Sequence, residues 1–210
     1  QLTPEINMER KITADADSEL KIFKKFSVRQ PFILFNGTIE PRKNIDRLVN
    51  AYIKSKSYAD GIQLVIAGKF GWRCEEIFKK INEFDRARIL FTGYVERAEL
   101  IELYNYALFF VYPSLYEGFG IPVIEAMGCG CPVIASDLPV FRETAGNAAL
   151  FVDTKKIDEI IDALNEMYKN AELRSELIKR GCERAQSFRD CAQTKKLAAL
   201  YKNMLRQARI

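Results

Sequence analysis

The sequence predicts an α/β fold: a Rossmann-like, doubly wound parallel sheet with helices on both faces. Three observations carry this expectation. Short apolar runs recur along the chain without polar alternation inside them, as strands buried on both faces require. Segments of helical period separate the runs, and parallel neighbours need such crossovers. Turn residues then cluster in the loops after the strands, where open parallel sheets bind ligands.

In chain order the predicted strands are 31–36 (PFILFN), 62–67 (IQLVIA), 88–92 (RILFT), 108–112 (LFFVY), 132–135 (PVIA) and 148–152 (AALFV), each bounded by turn residues. The predicted helices between them are 44–56, 72–82, 96–107, 121–127 and 140–145. A polar N-terminal stretch leads into a helix expected at 17–26, with Asp15 and Asp17 at its start rather than in a metal motif. From residue 157 to about residue 207 the pattern is a run of charged amphipathic helices, with a break expected near 187–189. No repeat or low-complexity linker divides the chain, so one domain is expected. The sheet-end loops are then 37–43, 68–71, 93–95 and 113–120.

Composition excludes several chemistries. The sequence contains no histidine, which rules out Ser-His-Asp and Cys-His catalysis within it and argues against a catalytic zinc. The net charge of +4 suits an anionic ligand, but no cluster of basic and aromatic residues marks a nucleic-acid surface. No apolar run approaches the roughly 18 residues of a membrane span, and residues 1–10 lack the apolar stretch of a signal peptide. Cys74, Cys129, Cys131, Cys182 and Cys191 are odd in number and scattered, as reduced thiols would be. A cytoplasmic location is the expectation.

Chemistry concentrates in 113–132, PSLYEGFGIPVIEAMGCGCP. A strand ends, a loop carries Glu117, Gly118, Phe119 and Gly120, and a helix begins near Ile121. Pro122 belongs in the first turn of that helix, where its missing N–H costs nothing, and Gly128 or Gly130 suits its end. The free N–H groups at the helix entrance, opened by two glycines, can cradle an anion. Glu125, about one turn inside, would reach a sugar hydroxyl, and Glu117 would reach the other side of the ligand. A tight turn and dipole-complementing glutamates are the bland alternative.

The second cluster is 37–44, GTIEPRKN. Arg42 and Lys43 stand at a helix entrance, where the dipole disfavours cations, and a bound anion would remove that conflict. A Lys–phosphate contact at 4 Å is worth about 4 kcal/mol at an effective dielectric near 20, before desolvation. The alternative is a solvated turn with Asn44 as the helix N-cap.

Together with LVIAG at 64–68 and FTGYV at 91–95, these segments resemble the donor domain of family 4 of the nucleotide-sugar glycosyltransferases. The resemblance runs from about residue 32 to 153, and its Glu-x7-Glu signature is met by Glu117 and Glu125. It implies one half of a GT-B architecture: an N-terminal linker and helix (1–30), a nucleotide-sugar donor-binding domain (31–187) and a C-terminal helix (188–210) that would cross toward a missing acceptor domain or partner subunit. By the same resemblance Lys43, with Arg42 beside it, would bind the donor diphosphate. Gly118, Phe119 and Gly120 would present backbone to phosphate and sugar, Glu125 would bond the ribose, and the backbone at Val95 would meet the base. Glu117 would be the catalytic group, facing the transferred sugar. The family retains anomeric configuration and requires no metal or other cofactor.

Two departures stand out. Thr38 occupies a position where many relatives carry arginine, and Arg42 would supply that charge. The chain is also about half the length a two-domain enzyme needs. A non-catalytic nucleotide-sugar-binding or regulatory subunit is therefore the alternative. A dinucleotide oxidoreductase is excluded, because Gly37 stands alone after the first strand with no Gly-x-Gly-x-x-Gly. The amphipathic stretches 157–167 and 190–205 are expected to pack on the domain and lead toward its partner, peripheral membrane contact being their other use.

Overall fold

The computed structural model describes residues 16–72 and 81–189. Six strands form one all-parallel sheet: β1 (Phe32–Asn36), β2 (Gln63–Ala67), β3 (Ile89–Gly93), β4 (Phe109–Tyr112), β5 (Val133–Ser136) and β6 (Ala149–Val152). Their spatial order is β3-β2-β1-β4-β5-β6. The chain builds outward from β1 to β3, then returns to the other side of β1 at β4. The order therefore reverses between β1 and β4, and the crevice beyond their carboxyl ends is where a doubly wound sheet binds ligands.

Every residue of β2, β4 and β5, and all of β1 but Asn36, is buried. Successive strand residues point to opposite faces, so burial of all of them means that both faces are covered. The edge strands β3 and β6 are less buried. The cover consists of helices in packed groups. α1 (Ala16–Phe26) meets α5 (Arg97–Tyr106), and α6 (Ile121–Gly128) lies against α9 (Ala171–Arg189). α2 (Ile45–Ile53) and α3 (Lys56–Ala59) pack on α8 (Ile157–Lys169), whose Ile160, Ala163, Leu164 and Met167 are buried. α4 (Glu83–Arg86) and α7 (Pro139–Ala145) are short connectors.

All six predicted strands form, each within a residue or so of its expected bounds. The helices differ more, because side-chain caps divide them. The stretch predicted as one helix at 44–56 is two, since the Ser55 hydroxyl accepts from the Tyr58 N–H at 3.3 Å and starts α3. Of the helix predicted at 72–82, residues 73–80 lie outside the described residues; Asn82 instead caps α4, accepting from Asp85 N–H at 2.9 Å. The C-terminal run divides at Asn170, between α8 and α9, and α9 reaches Arg189; the break expected near 187–189 falls at the edge of the described residues. The Asn170 carboxamide accepts from Leu173 N–H at 2.9 Å, a cap that the charge pattern had concealed. The amphipathic stretch 190–205 lies outside the described residues; among the described residues no helix is long and apolar enough to cross a membrane. Cys129, Cys131 and Cys182 are free thiols.

Candidate functional site

The two sequence clusters meet at the β1–β4 reversal. After β1 the backbone is laced to its neighbour: Gly37 N–H donates to Ala67 O at 2.9 Å, Ile39 N–H to Lys69 O at 2.9 Å, and Gly71 N–H to Ile39 O at 3.0 Å. A Cβ on Gly68 would lie 2.0 Å from Gly37 O, so only glycine permits this approach. Pro41, Arg42 and Lys43 form a single 3-10 turn before α2. Leu115 N–H donates to Arg42 O at 2.8 Å, tying that turn to the loop after β4.

Lys43 and Arg42 converge on one carboxylate oxygen. Lys43 Nζ lies 2.6 Å from Glu117 Oε1 and Arg42 Nη1 lies 2.8 Å from it. The guanidinium of Arg42 also donates to Glu40 Oε1 at 2.6 and 3.0 Å. The Tyr112 hydroxyl contacts Lys43 Nζ and donates to Glu117 Oε1 at 3.2 Å. Lys43 is buried, so the solvated-turn alternative does not hold. Burial alone would raise the Glu117 pKa; the hydrogen bond and charge of Lys43, aided by Ser114 and Arg42, more than offset this and hold it below the ordinary carboxylate value. The site thus holds a carboxylate neutralised by two cations, which an incoming anion could claim.

Asn44 is not the side-chain cap of α2. It adopts a left-handed backbone (φ 58°), and its buried carboxamide donates to Pro113 O at 3.1 Å and Thr154 O at 2.9 Å. One side chain thus joins the loops after β1, β4 and β6. Ser136 completes the tie, donating to Ser114 O at 2.6 Å with Thr154 Oγ1 at 3.0 Å.

α6 starts as its sequence requires. Gly120 is its N-cap, at φ 88°, with Ile121 and Pro122 in the first turn and no side chain capping the free N–H groups. A Cβ on Gly120 would meet the Phe141 ring at 2.5 Å, whereas one on Gly118 would meet nothing within 4 Å. Gly120 is therefore needed by the fold, while Gly118 leaves open space beside the helix entrance. Phe119 is exposed, its ring edge-on to that of Phe188 of α9 with centroids 5.9 Å apart.

Glu125 is buried inside α6, so it is not a surface residue complementing the dipole. Burial pushes its pKa up, while the Arg97 charge at the start of α5 pulls it down. Val95, in the loop after β3, packs part-buried against the core. The structure therefore joins Arg42, Lys43 and Glu117 directly. It sets Gly118, Phe119 and Gly120 on the chain leading from Glu117 into α6, and buries Glu125 within that helix. Tyr112, Asn44 and Arg97 were missed by the sequence reading. Tyr112 carried one signal, the sole hydroxyl in an apolar strand, immediately before Pro113. Among the described residues no group of three or more His, Cys, Asp or Glu side chains could hold a metal.

The chain is similar to known proteins in sequence and in fold. The profile of the family described as Glycosyl transferases group 1 matches residues 17–184. An O-antigen chain mannosyltransferase B of Escherichia coli is 34% identical over 172 residues, covering 80% of this chain and 45% of that protein. A phosphatidyl-myo-inositol mannosyltransferase of Mycobacterium leprae is 31% identical over 160 residues, with 74% and 42% coverage. The chain spans about half the length of such relatives. Among solved structures, a sucrose-phosphate synthase of Thermosynechococcus elongatus superposes with a TM-score of 0.79 at 24% identity, over 98% of this chain and 52% of that one. Anabaena Alr3699/HepE in complex with UDP and glucose gives 0.78 at 18% identity, over 96% and 55%. The C-terminal domain of a group 1 glycosyl transferase from Francisella tularensis (LpcC) gives 0.70 at 20% identity, over 85% of this chain and 96% of that one.

Proposed function

The chain belongs to the group 1 glycosyl transferases, and from that premise we propose that it is the donor-binding half of a retaining GT-B enzyme, binding a nucleotide-diphosphate sugar for glycosyl transfer. The observation that carries the reading is the pairing of Glu117 with Lys43 and Arg42 at the β1–β4 reversal, in front of the uncapped entrance of α6. A nucleoside diphosphate supplies the anion these cations and free N–H groups suit.

In this reading Lys43 and Arg42 turn from Glu117 to the diphosphate. The backbone at Gly118, Phe119 and Gly120 lies against phosphate and sugar, Glu125 accepts from the ribose hydroxyls, and the Val95 backbone meets the base. Glu117, released from both cations, faces the sugar and stabilises positive charge as the bond from the anomeric carbon to phosphate oxygen breaks; the same physics operates in glycosidases. Lys43 and Arg42 neutralise the charge that gathers on the leaving phosphate. That phosphate takes the acceptor hydroxyl proton on the same face, so configuration is retained without a covalent enzyme intermediate. The chemistry calls on no metal or other cofactor.

The acceptor half would come from a second domain or a partner subunit, consistent with coverage of 45% and 41% of the two O-antigen chain mannosyltransferases and nearly all of the solved C-terminal domain. A glycan or lipid-linked acceptor, in polysaccharide synthesis at the cytoplasmic side, fits relatives named as O-antigen chain mannosyltransferases. The C-terminal helices would lead toward that partner, with peripheral membrane contact as a further use. The test is glycosyl transfer by this domain joined to its acceptor half, with the anomer of the product read by NMR before mutarotation. Transfer with retention, lost in Glu117→Gln, supports the reading; inversion, or full activity in Glu117→Gln, contradicts it.

A further inference from the structure

Tyr112 ends β4 at the reversal point, and its hydroxyl touches the two groups to which the donor reading gives opposite tasks, Lys43 and Glu117. We infer that Tyr112 is a positioning residue of the donor site, which keeps the Lys43 ammonium at the phosphate position and the Glu117 carboxylate at the sugar position. The inference rests on the donor-site reading above.

The direction of the hydrogen bonds follows from the partners. An ammonium only donates and a carboxylate only accepts. The phenol oxygen must therefore accept from Lys43, and its hydrogen must go to Glu117 Oε1, 3.2 Å away. Burial, with the Glu117 charge beside it, pushes the Tyr112 pKa up, so the phenol keeps the hydrogen it donates. The ring itself is fixed. Its centroid lies 6.0 Å from that of Phe35, 5.6 Å from Phe110 and 5.7 Å from Phe141, and β4 is paired on both sides, by β1 and β5.

Lys43, by contrast, carries its charge on a flexible four-carbon stem. When a diphosphate draws Lys43 away from Glu117, the phenol can stay bonded to both groups. Neither then swings out of place, and the ligand finds the ammonium already oriented. A hydroxyl that only filled space would be dispensable to ligand binding.

Tyr112→Phe keeps the ring and deletes the hydroxyl. Affinities for UDP, GDP and ADP would be measured by ligand-observed NMR titration on the unaltered chain, Tyr112→Phe, Lys43→Met and the double variant, with thermal unfolding of each. The expected result is binding about three- to tenfold weaker in Tyr112→Phe, the effect of losing one hydrogen bond of ordinary net strength. The same deletion in the Lys43→Met background is expected to change affinity less than about twofold, because the hydroxyl acts through Lys43. Unchanged affinity in Tyr112→Phe, or an equal loss in both backgrounds, overturns the inference and leaves the donor site standing. A Tyr112→Phe chain unfolded at the assay temperature also overturns it, by making the hydroxyl structural. If the unaltered chain binds none of the three nucleotides, the donor reading falls and the inference with it.

Discussion

Replacing Glu117 with glutamine separates the carboxylate's two roles, because its pairing with Lys43 and Arg42 and the proposed chemistry respond in opposite directions. Glu117 Oε1 lies 2.6 Å from Lys43 Nζ and 2.8 Å from Arg42 Nη1. At an effective dielectric near 20 each attraction is about 6 kcal/mol before desolvation, an upper bound. Arg42 is 39% exposed, so solvent screens its share to about 1 kcal/mol or less. Lys43, at 8%, loses the only carboxylate it pairs with among the described residues. The amide still accepts one hydrogen bond, so the net loss of stability is about 1–3 kcal/mol, or about 3–10 °C in melting temperature for a domain of this size.

The same change frees both cations for phosphate and removes a negative charge from its neighbourhood. Nucleoside diphosphate affinity should therefore rise about three- to tenfold, while glycosyl transfer by the assembled enzyme falls by at least about a hundredfold. Calorimetric titration together with thermal unfolding reads both effects. A Glu117→Gln chain that binds nucleoside diphosphate more weakly than the unaltered one would refute the reasoning, since it would mean that the carboxylate does not compete with the ligand for Lys43 and Arg42.

Further outcomes follow from the same geometry. Because the folded-state pKa of Glu117 is depressed, its stabilisation is complete above the unfolded-state value near 4.3 and is lost as pH falls through the folded value; Glu117→Gln should flatten that acid limb of a melting profile. Glu125 has the opposite sign. Its pKa is raised, chiefly by burial, so folding loses stability as pH rises past the unfolded value. Glu125→Gln should raise the melting temperature at pH 7 by about 1–4 °C while weakening nucleotide binding, and a variant that binds nucleotide normally would count against the ribose role. Gly120→Ala should cost about 2–4 kcal/mol from the Phe141 clash and the positive φ. Gly118→Ala should leave the melting temperature within about 1 °C yet weaken nucleotide-sugar binding, because its surroundings are empty until a ligand enters. Asn44→Ala strands two buried carbonyls and should cost about 2–4 kcal/mol, visible in chemical denaturation as a lower midpoint at unchanged slope.

The strands were legible because a strand buried on both faces has few sequence solutions: FILF, LVIA and FFVY admit no solvent-facing position. Helix ends were less legible, since Ser55 and Asn170 end one helix and begin another by a single hydrogen bond that leaves the apolar period almost intact. In the site, Gly120 and Pro122 were readable from backbone demands alone. The meeting of Lys43 with Glu117 was not, because it depends on the reversal of strand order that makes β4, distant in sequence, the neighbour of β1. Asn44 misled for a related reason. An asparagine before a helix reads as a cap, whereas here its carboxamide answers carbonyls brought to it from Pro113 and Thr154.

The most direct measurement of the central claim is ligand-observed saturation-transfer NMR of the chain against UDP, GDP, ADP and their sugar conjugates, repeated on Lys43→Ala and Glu125→Ala. The expected result is saturation of one nucleotide and its sugar conjugate, lost or strongly reduced in both variants while both still unfold cooperatively. Saturation of the same nucleotide undiminished in both variants, or of none by the unaltered chain, would contradict a donor site at the β1–β4 reversal.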